Sequence, residues 1–102
     1  MPSVAVIGLG RIGLPLAISF ADRGLTVLGV DKDADRLQAV REARMPFEEP
    51  GAQDALDRVH AAGTLTVSDR VADATLAEHI VITLGTPSFS HIEIDILSLI
   101  HI

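Results

Sequence analysis

Apolar residues in the first third of the chain follow two rhythms. Val4-Ala5-Val6-Ile7 is an uninterrupted run of β-branched residues and alanine, the pattern of a strand buried on both faces, as central parallel strands are. From Arg11 to Arg23 the period becomes helical. Ile12, Leu16 and Phe20 form one stripe, and Gly13, Ala17 and Ala21 form a small-residue stripe beside it that permits close approach to a sheet. Proline is tolerated only near the first turn of a helix, so Pro15 sets the helix start close to Arg11, and Gly24 reads as its stop. Leu25 to Val30 predicts a second buried strand ending on Asp31. Asp33 is placed to cap a helix from Ala34 to about Ala43, with Leu37 and Val40 turned inward and Arg36 and Arg41 solvated.

The stretch Arg44-Met45-Pro46-Phe47-Glu48-Glu49-Pro50-Gly51 holds two prolines and reads as an ordered loop. Glu48 and Glu49 read as loop acids leading into a helix from about Ala52 to His60, where negative charge near the N-terminus is favourable. After Gly63, Thr64 to Val67 predicts a short strand, Val71 to Ala77 a short helical or turn segment, and Ile80 to Leu84 a third strongly β-branched strand running into Gly85-Thr86-Pro87. Ile94 to Ile102 is apolar with helical or strand character. Strands alternating with helical segments imply an α/β fold, a doubly wound parallel sheet of about four strands.

The stretch on which this arrangement turns is Gly8-Leu9-Gly10-Arg11-Ile12-Gly13, where the first strand hands over to the first helix. In a dinucleotide-binding turn the first glycine permits the sharp bend, the second lets a pyrophosphate approach the backbone, and the third lets helix and sheet pack closely. The unpaired N–H groups of the helix, with about half a positive charge at its N-terminus, then face the phosphates. Asp31 lies at the end of the next strand, roughly twenty residues on, where a carboxylate can accept both hydroxyls of an adenosine ribose. A carboxylate there favours NAD over NADP, although Lys32 and Arg36 are cations close enough to temper the preference. In such a sheet the ligand lies across the carboxyl ends of the strands, which puts Gly85 and Thr86 beside it.

Composition narrows the partners. The chain has 102 residues, 48% hydrophobic and 3% aromatic, enough for one small domain with an aliphatic core. Its formal net charge of -6 argues against nucleic acid or an anionic membrane surface, so an anionic ligand must be held by backbone dipoles and a few placed cations. There is no cysteine, hence no disulfide, thiolate zinc site or cysteine nucleophile. His60, His79, His91 and His101 show no metal-ligand spacing. Met1-Pro2-Ser3 runs directly into the first strand without a basic leader, and no apolar run approaches the roughly 18 residues of a membrane span, so a cytoplasmic protein is expected.

Strand, glycine turn, acid, the Pro46–Gly51 loop and Thr83-Leu84-Gly85-Thr86-Pro87, in that order, closely resemble the N-terminal domain of the nucleotide-sugar 6-dehydrogenases, the UDP-glucose and UDP-N-acetylmannosamine dehydrogenase family. The resemblance implies a Rossmann-type sheet that binds NAD. Gly8, Gly10, Arg11, Ile12 and Gly13 would form the pyrophosphate loop, Asp31 and Arg36 the ribose-contacting acid and its accompanying cation, and Thr86 the threonine beside the cofactor. The family usually has tyrosine where this chain has Arg11. It also implies oxidation of a UDP-sugar C6 alcohol to a carboxylate through thiohemiacetal and thioester intermediates on a cysteine. The chain has no cysteine, so it is expected to be a partial domain, residues 1–102, without the central helix and sugar-binding domain, able at most to bind NAD weakly and unable to turn over.

Two other classes use a similar turn. The β-hydroxyacid dehydrogenases share Gly-Leu-Gly-x-x-Gly but have no reason to carry the Pro-Phe-Glu-Glu-Pro-Gly loop, and regulatory domains that sense NAD or ATP would explain a short chain without a nucleophile. A sheet of about four strands leaves an apolar edge that invites pairing, so self-association into a homo-oligomer is expected.

Overall fold

The computed structural model describes residues 2–83, so Gly85, Thr86 and the apolar segment 94–102 lie outside the described residues. Four strands, β1 (Val4–Ile7), β2 (Val27–Val30), β3 (Leu65–Ser68) and β4 (His79–Ile82), form one parallel sheet in the order β3-β2-β1-β4. Between them run helices α1 (Gly13–Asp22), α2 (Ala34–Arg41) and α3 (Ala52–Ala62), and a short 3₁₀ helix over Val71–Leu76 precedes β4.

The strand alternation explains how both faces are covered. Val4 and Val6 of β1 and Val27 of β2 enter one core with Leu14, Ala17, Ile18 and Ala21 of α1, Leu37 and Val40 of α2, and Leu56 and Val59 of α3. Ala5, Leu28 and Val30 point the other way, onto Ala74 of the 3₁₀ helix. β1 is therefore buried on both faces, as its uninterrupted apolar run requires.

Several boundaries shift from their sequence positions. α1 begins at Gly13 rather than at Arg11, because residues 8–12 are spent on the turn, and Pro15 is accordingly its third residue. Its buried face is the small-residue stripe plus Leu14 and Ile18, whereas Ile12 is 70% exposed and Phe20 only partly buried. Gly13, Ala17 and Ala21 allow the close packing on the sheet, and of the larger stripe Ile12 is turned away while Phe20 packs partly on the core. Gly24 ends α1 with φ +97°, a conformation that favours glycine. β2 starts at Val27, with Thr26 used before it to accept from the Ser3 N–H. Asp33 caps α2 as expected, accepting from the Arg36 N–H at 3.1 Å, and α2 ends at Arg41. β4 spans His79–Ile82, one residue earlier than its β-branched run suggests.

Two glycines of the turn are demanded by the chain's own packing. A Cβ on Gly13 would stand 1.6 Å from the Gly8 carbonyl oxygen and 2.6 Å from Thr83 Oγ1. One on Gly8, already at φ +95°, would stand 2.6 Å from the Thr83 carbonyl oxygen. Thr83 closes this packing by donating from its hydroxyl to the Gly8 carbonyl at 2.8 Å and from its N–H to Ile7 at 2.9 Å. Gly13→Ala must push α1 off the sheet, and we expect it to lose at least about 3 kcal/mol of stability or fail to fold, read from urea unfolding.

Candidate functional site

The chain leaves β1 toward β2 on one side and returns to β4 on the other, so the carboxyl ends of β1 and β4 flank a topological switch point, where α/β sheets bind ligands. The glycine turn sits at this point. Its conformation is fixed from three sides: Gly8 donates from its N–H to Val30 at 2.8 Å, Thr83 packs beneath it, and Leu9 is fully buried. Leu9 also explains Gly29, since a Cβ there would meet the Leu9 methyls at 2.9 and 3.0 Å.

Gly10 differs from its two neighbours in the motif. It has no positive φ, and a Cβ built on it meets nothing within 4 Å. Nothing in the packing of the described residues requires a glycine there, and the space beside it is open among them. The backbone N–H groups of Gly10, Arg11 and Ile12 find no acceptor among the described residues, while Gly10 itself accepts from the Leu14 N–H at 3.0 Å. Three free donors at the start of a helix, next to an unobstructed glycine, form a cradle for a phosphate-like anion.

Asp31, at the end of β2, is only 10% exposed at its side chain and reaches back to this turn. Its Oδ2 accepts from the Leu9 N–H at 2.7 Å and from Arg36 at 3.0 Å, and its Oδ1 accepts from the Asp33 N–H at 2.9 Å. Burial alone would raise its pKa, but the Asp33 and Leu9 hydrogen bonds and the Arg36 guanidinium outweigh that and hold the carboxyl below its ordinary value. Arg36, expected to be solvated, is half-buried in this ion pair, because α2, capped by Asp33, begins at Ala34 and turns position 36 back over the strand end. Arg11 and Ile12 both project outward from the turn, Arg11 with its guanidinium carbon 5.3 Å from the centre of the Phe47 ring.

The structure thus brings together Gly8, Gly10, Arg11, Ile12, Gly13, Asp31 and Arg36; Gly85 and Thr86 lie outside the described residues. Sequence reasoning missed two residues that shape the turn. Thr83 ties β4 to it, and the signal was a hydroxyl at the end of a β-branched run. Leu9 was read only as a spacer, although an apolar residue between two glycines beside a strand glycine at 29 points to a packed pair. Glu48 and Glu49 are exposed, as loop acids should be. Among the described residues no group of His, Cys, Asp or Glu could hold a metal ion, and no helix is long and apolar enough to cross a membrane.

A parallel sheet with a glycine turn at its switch point and an acid ending the neighbouring strand defines a Rossmann-type dinucleotide-binding domain. The sequence profile described as "UDP-glucose/GDP-mannose dehydrogenase family, NAD binding domain" matches residues 2–102, and the chain belongs to that family. Its cofactor is accordingly NAD. The chain is 36% identical over 86 residues to UDP-glucose 6-dehydrogenase of Rhizobium meliloti, covering 83% of this chain and 20% of that protein. It is 37% identical over 84 residues to UDP-N-acetyl-D-mannosamine dehydrogenase of Pyrococcus horikoshii, with 82% and 20% covered. The solved UDP-D-ManNAc dehydrogenase of Pyrococcus horikoshii superposes with a TM-score of 0.85 at 33% identity, over 96% of this chain and 25% of that one. The chain spans about a fifth of the length of these curated relatives.

The Asp31 hydrogen bonds make a pH signature. Because the folded state holds this carboxyl below its unfolded value, the stability it contributes is complete above about pH 4 and is lost as pH falls from there through the folded pKa. Urea midpoints measured from neutral to strongly acid pH should fall on that limb, and should fall less steeply in Asp31→Asn.

Proposed function

We propose that this chain is the NAD-binding portion of a nucleotide-sugar 6-dehydrogenase, a cytoplasmic, homo-oligomeric enzyme that oxidises the C6 alcohol of a UDP-sugar to a uronate. Residues 1–102 are then part of an N-terminal domain, and the central helix, the sugar-binding domain and the cysteine nucleophile belong to the remainder of the enzyme. The relatives named for UDP-sugars at 36% and 37% identity support that substrate class, while a UDP-glucose 6-dehydrogenase of Bacillus subtilis and the GDP-mannose 6-dehydrogenase of Azotobacter vinelandii are both 31% identical. Ile80, 41% exposed on β4, and Leu76, 53% exposed on the 3₁₀ helix, are apolar surface that suits burial against further chain or a second copy.

Bound NAD supplies a hydride acceptor; the work of these residues is to hold and orient it. Gly8 and Gly13 keep the turn tight, and the N–H groups of Gly10, Arg11 and Ile12 donate to the pyrophosphate. Asp31 and Arg36 face the adenosine ribose. A carboxylate has about four acceptor sites, and Asp31 already accepts three hydrogen bonds. A ribose hydroxyl would therefore take the open site on Oδ1, with the Leu9 and Arg36 bonds on Oδ2 kept. Gly85 and Thr86 are assigned to the cofactor's border by resemblance.

The observation that carries this reading is Gly10, a glycine that the packing of the described residues does not require and whose open side suits a bound group. Gly10→Ala should leave stability within about 0.5 kcal/mol. It should nevertheless weaken NAD by about tenfold or more in calorimetric titration, on the order of 1.4 kcal/mol. NADP should bind more weakly than NAD. A folded chain that binds neither nucleotide, or a Gly10→Ala variant that binds NAD as well as the parent, would overturn the assignment.

A further inference from the structure

Arg11 stands apart from the other two arginines on its side of the molecule. Arg36 is paired with Asp31 at 3.0 Å and Arg44 with Glu42 at 2.6 Å, whereas among the described residues Arg11 is engaged by the face of Phe47 and by no carboxylate. Phe47 is not placed there by chance. Its loop is clasped by Gln53, which accepts from the Met45 N–H at 2.9 Å and donates to the Ala43 carbonyl at 2.7 Å. Ala43 adopts φ +56°, a conformation rare outside glycine, and so turns the chain from α2 into that loop. Phe47 itself packs partly on the main core.

Arg11 and Phe47 line a pocket of about 390 Å³ together with Ala39, Pro46 and the two paired arginines. That volume lies at the lower end of the range for small-molecule sites, roughly 300–1,000 Å³. Arg36 lines it while donating to Asp31, so the pocket opens directly beside the candidate ribose site. The lining is flat: an aromatic ring, a proline ring and guanidinium planes, which stack on π-systems. Asp33 and Asp35 share the wall, which penalises a second anion and offers acceptors to an amino group.

We propose that the Arg11–Phe47 pair is the platform for the adenine base of the bound dinucleotide, with Arg11 acting through its planar face rather than through its charge. The proposal rests on the cofactor reading above. Base stacking of this kind changes affinity by about tenfold or more.

The test compares ADP with ribose 5-diphosphate, which keeps ribose and pyrophosphate but lacks the base, on the full chain and on Arg11→Ala, Arg11→Lys and Phe47→Leu. Circular dichroism and thermal unfolding establish that each variant is folded. ADP should bind the parent at least about tenfold more tightly than ribose 5-diphosphate. All three variants, including the charge-keeping Arg11→Lys, should erase most of that difference and leave ribose 5-diphosphate nearly unchanged. Equal weakening of both ligands by Arg11→Ala, with Arg11→Lys restoring both, would make Arg11 a phosphate-binding charge and overturn the platform alone. NADP binding more tightly than NAD, with the gain lost in Arg11→Ala, would make the pocket a phosphate site and overturn it equally. Failure of NAD and ADP to bind the folded parent would remove the cofactor reading and the platform together.

Discussion

The structure depends on a place where there is no room for a side chain. At the end of β1 the Gly8 carbonyl, the Gly13 backbone and the Thr83 hydroxyl are packed so closely that a Cβ at residue 13 would overlap the Gly8 oxygen. That contact brings the start of α1 against the strand ends and aims its unpaired N–H groups at the switch point between β1 and β4. Close packing here also decides which face of α1 is buried: Gly13, Ala17 and Ala21 can lie against the sheet, and Ile12 cannot. Local sequence, helix packing and site geometry are therefore one constraint seen at three scales.

A chain of formal net charge -6 is a poor long-range attractor for a dinucleotide. The structure answers with short-range donors. Backbone N–H groups carry no net charge and so leave the overall balance untouched, yet at a helix start they present fixed partial positive charge at contact distance. The nearby cations are mostly committed, Arg36 to Asp31 and Arg44 to Glu42, which leaves Arg11 as the guanidinium that the pocket can use without breaking an ion pair.

Element order and sheet type were legible in the sequence because each strand is a short β-branched run and each helix carries its own stop or cap, such as Gly24 and Asp33. The glycine motif was legible as a motif, but its three glycines looked alike. Only three-dimensional neighbours separate Gly8 and Gly13, which the fold requires, from Gly10, which it does not. The packing of Leu9 on Gly29 was invisible for the same reason: it joins residues through strand register, and a single sequence carries no register. Helical periodicity likewise shows that α1 has two stripes without showing which faces inward, since hydrophobicity favours the larger stripe and close approach favours the smaller.

Asp31 illustrates how tightly fold and selectivity are joined. Its carboxylate accepts the Leu9 N–H, so the acid proposed to face the ribose also pins the glycine turn to the end of β2. An apolar residue at 31 would remove the charge and at the same time leave the N–H of a fully buried leucine's peptide without its acceptor, at a cost of about 1–3 kcal/mol. No residue that lacks an acceptor can therefore replace Asp31 without loosening the glycine turn. A change of preference that keeps the fold needs a replacement able to accept from Leu9 while giving up the charge, and asparagine is the residue whose size and carbonyl oxygen meet both demands.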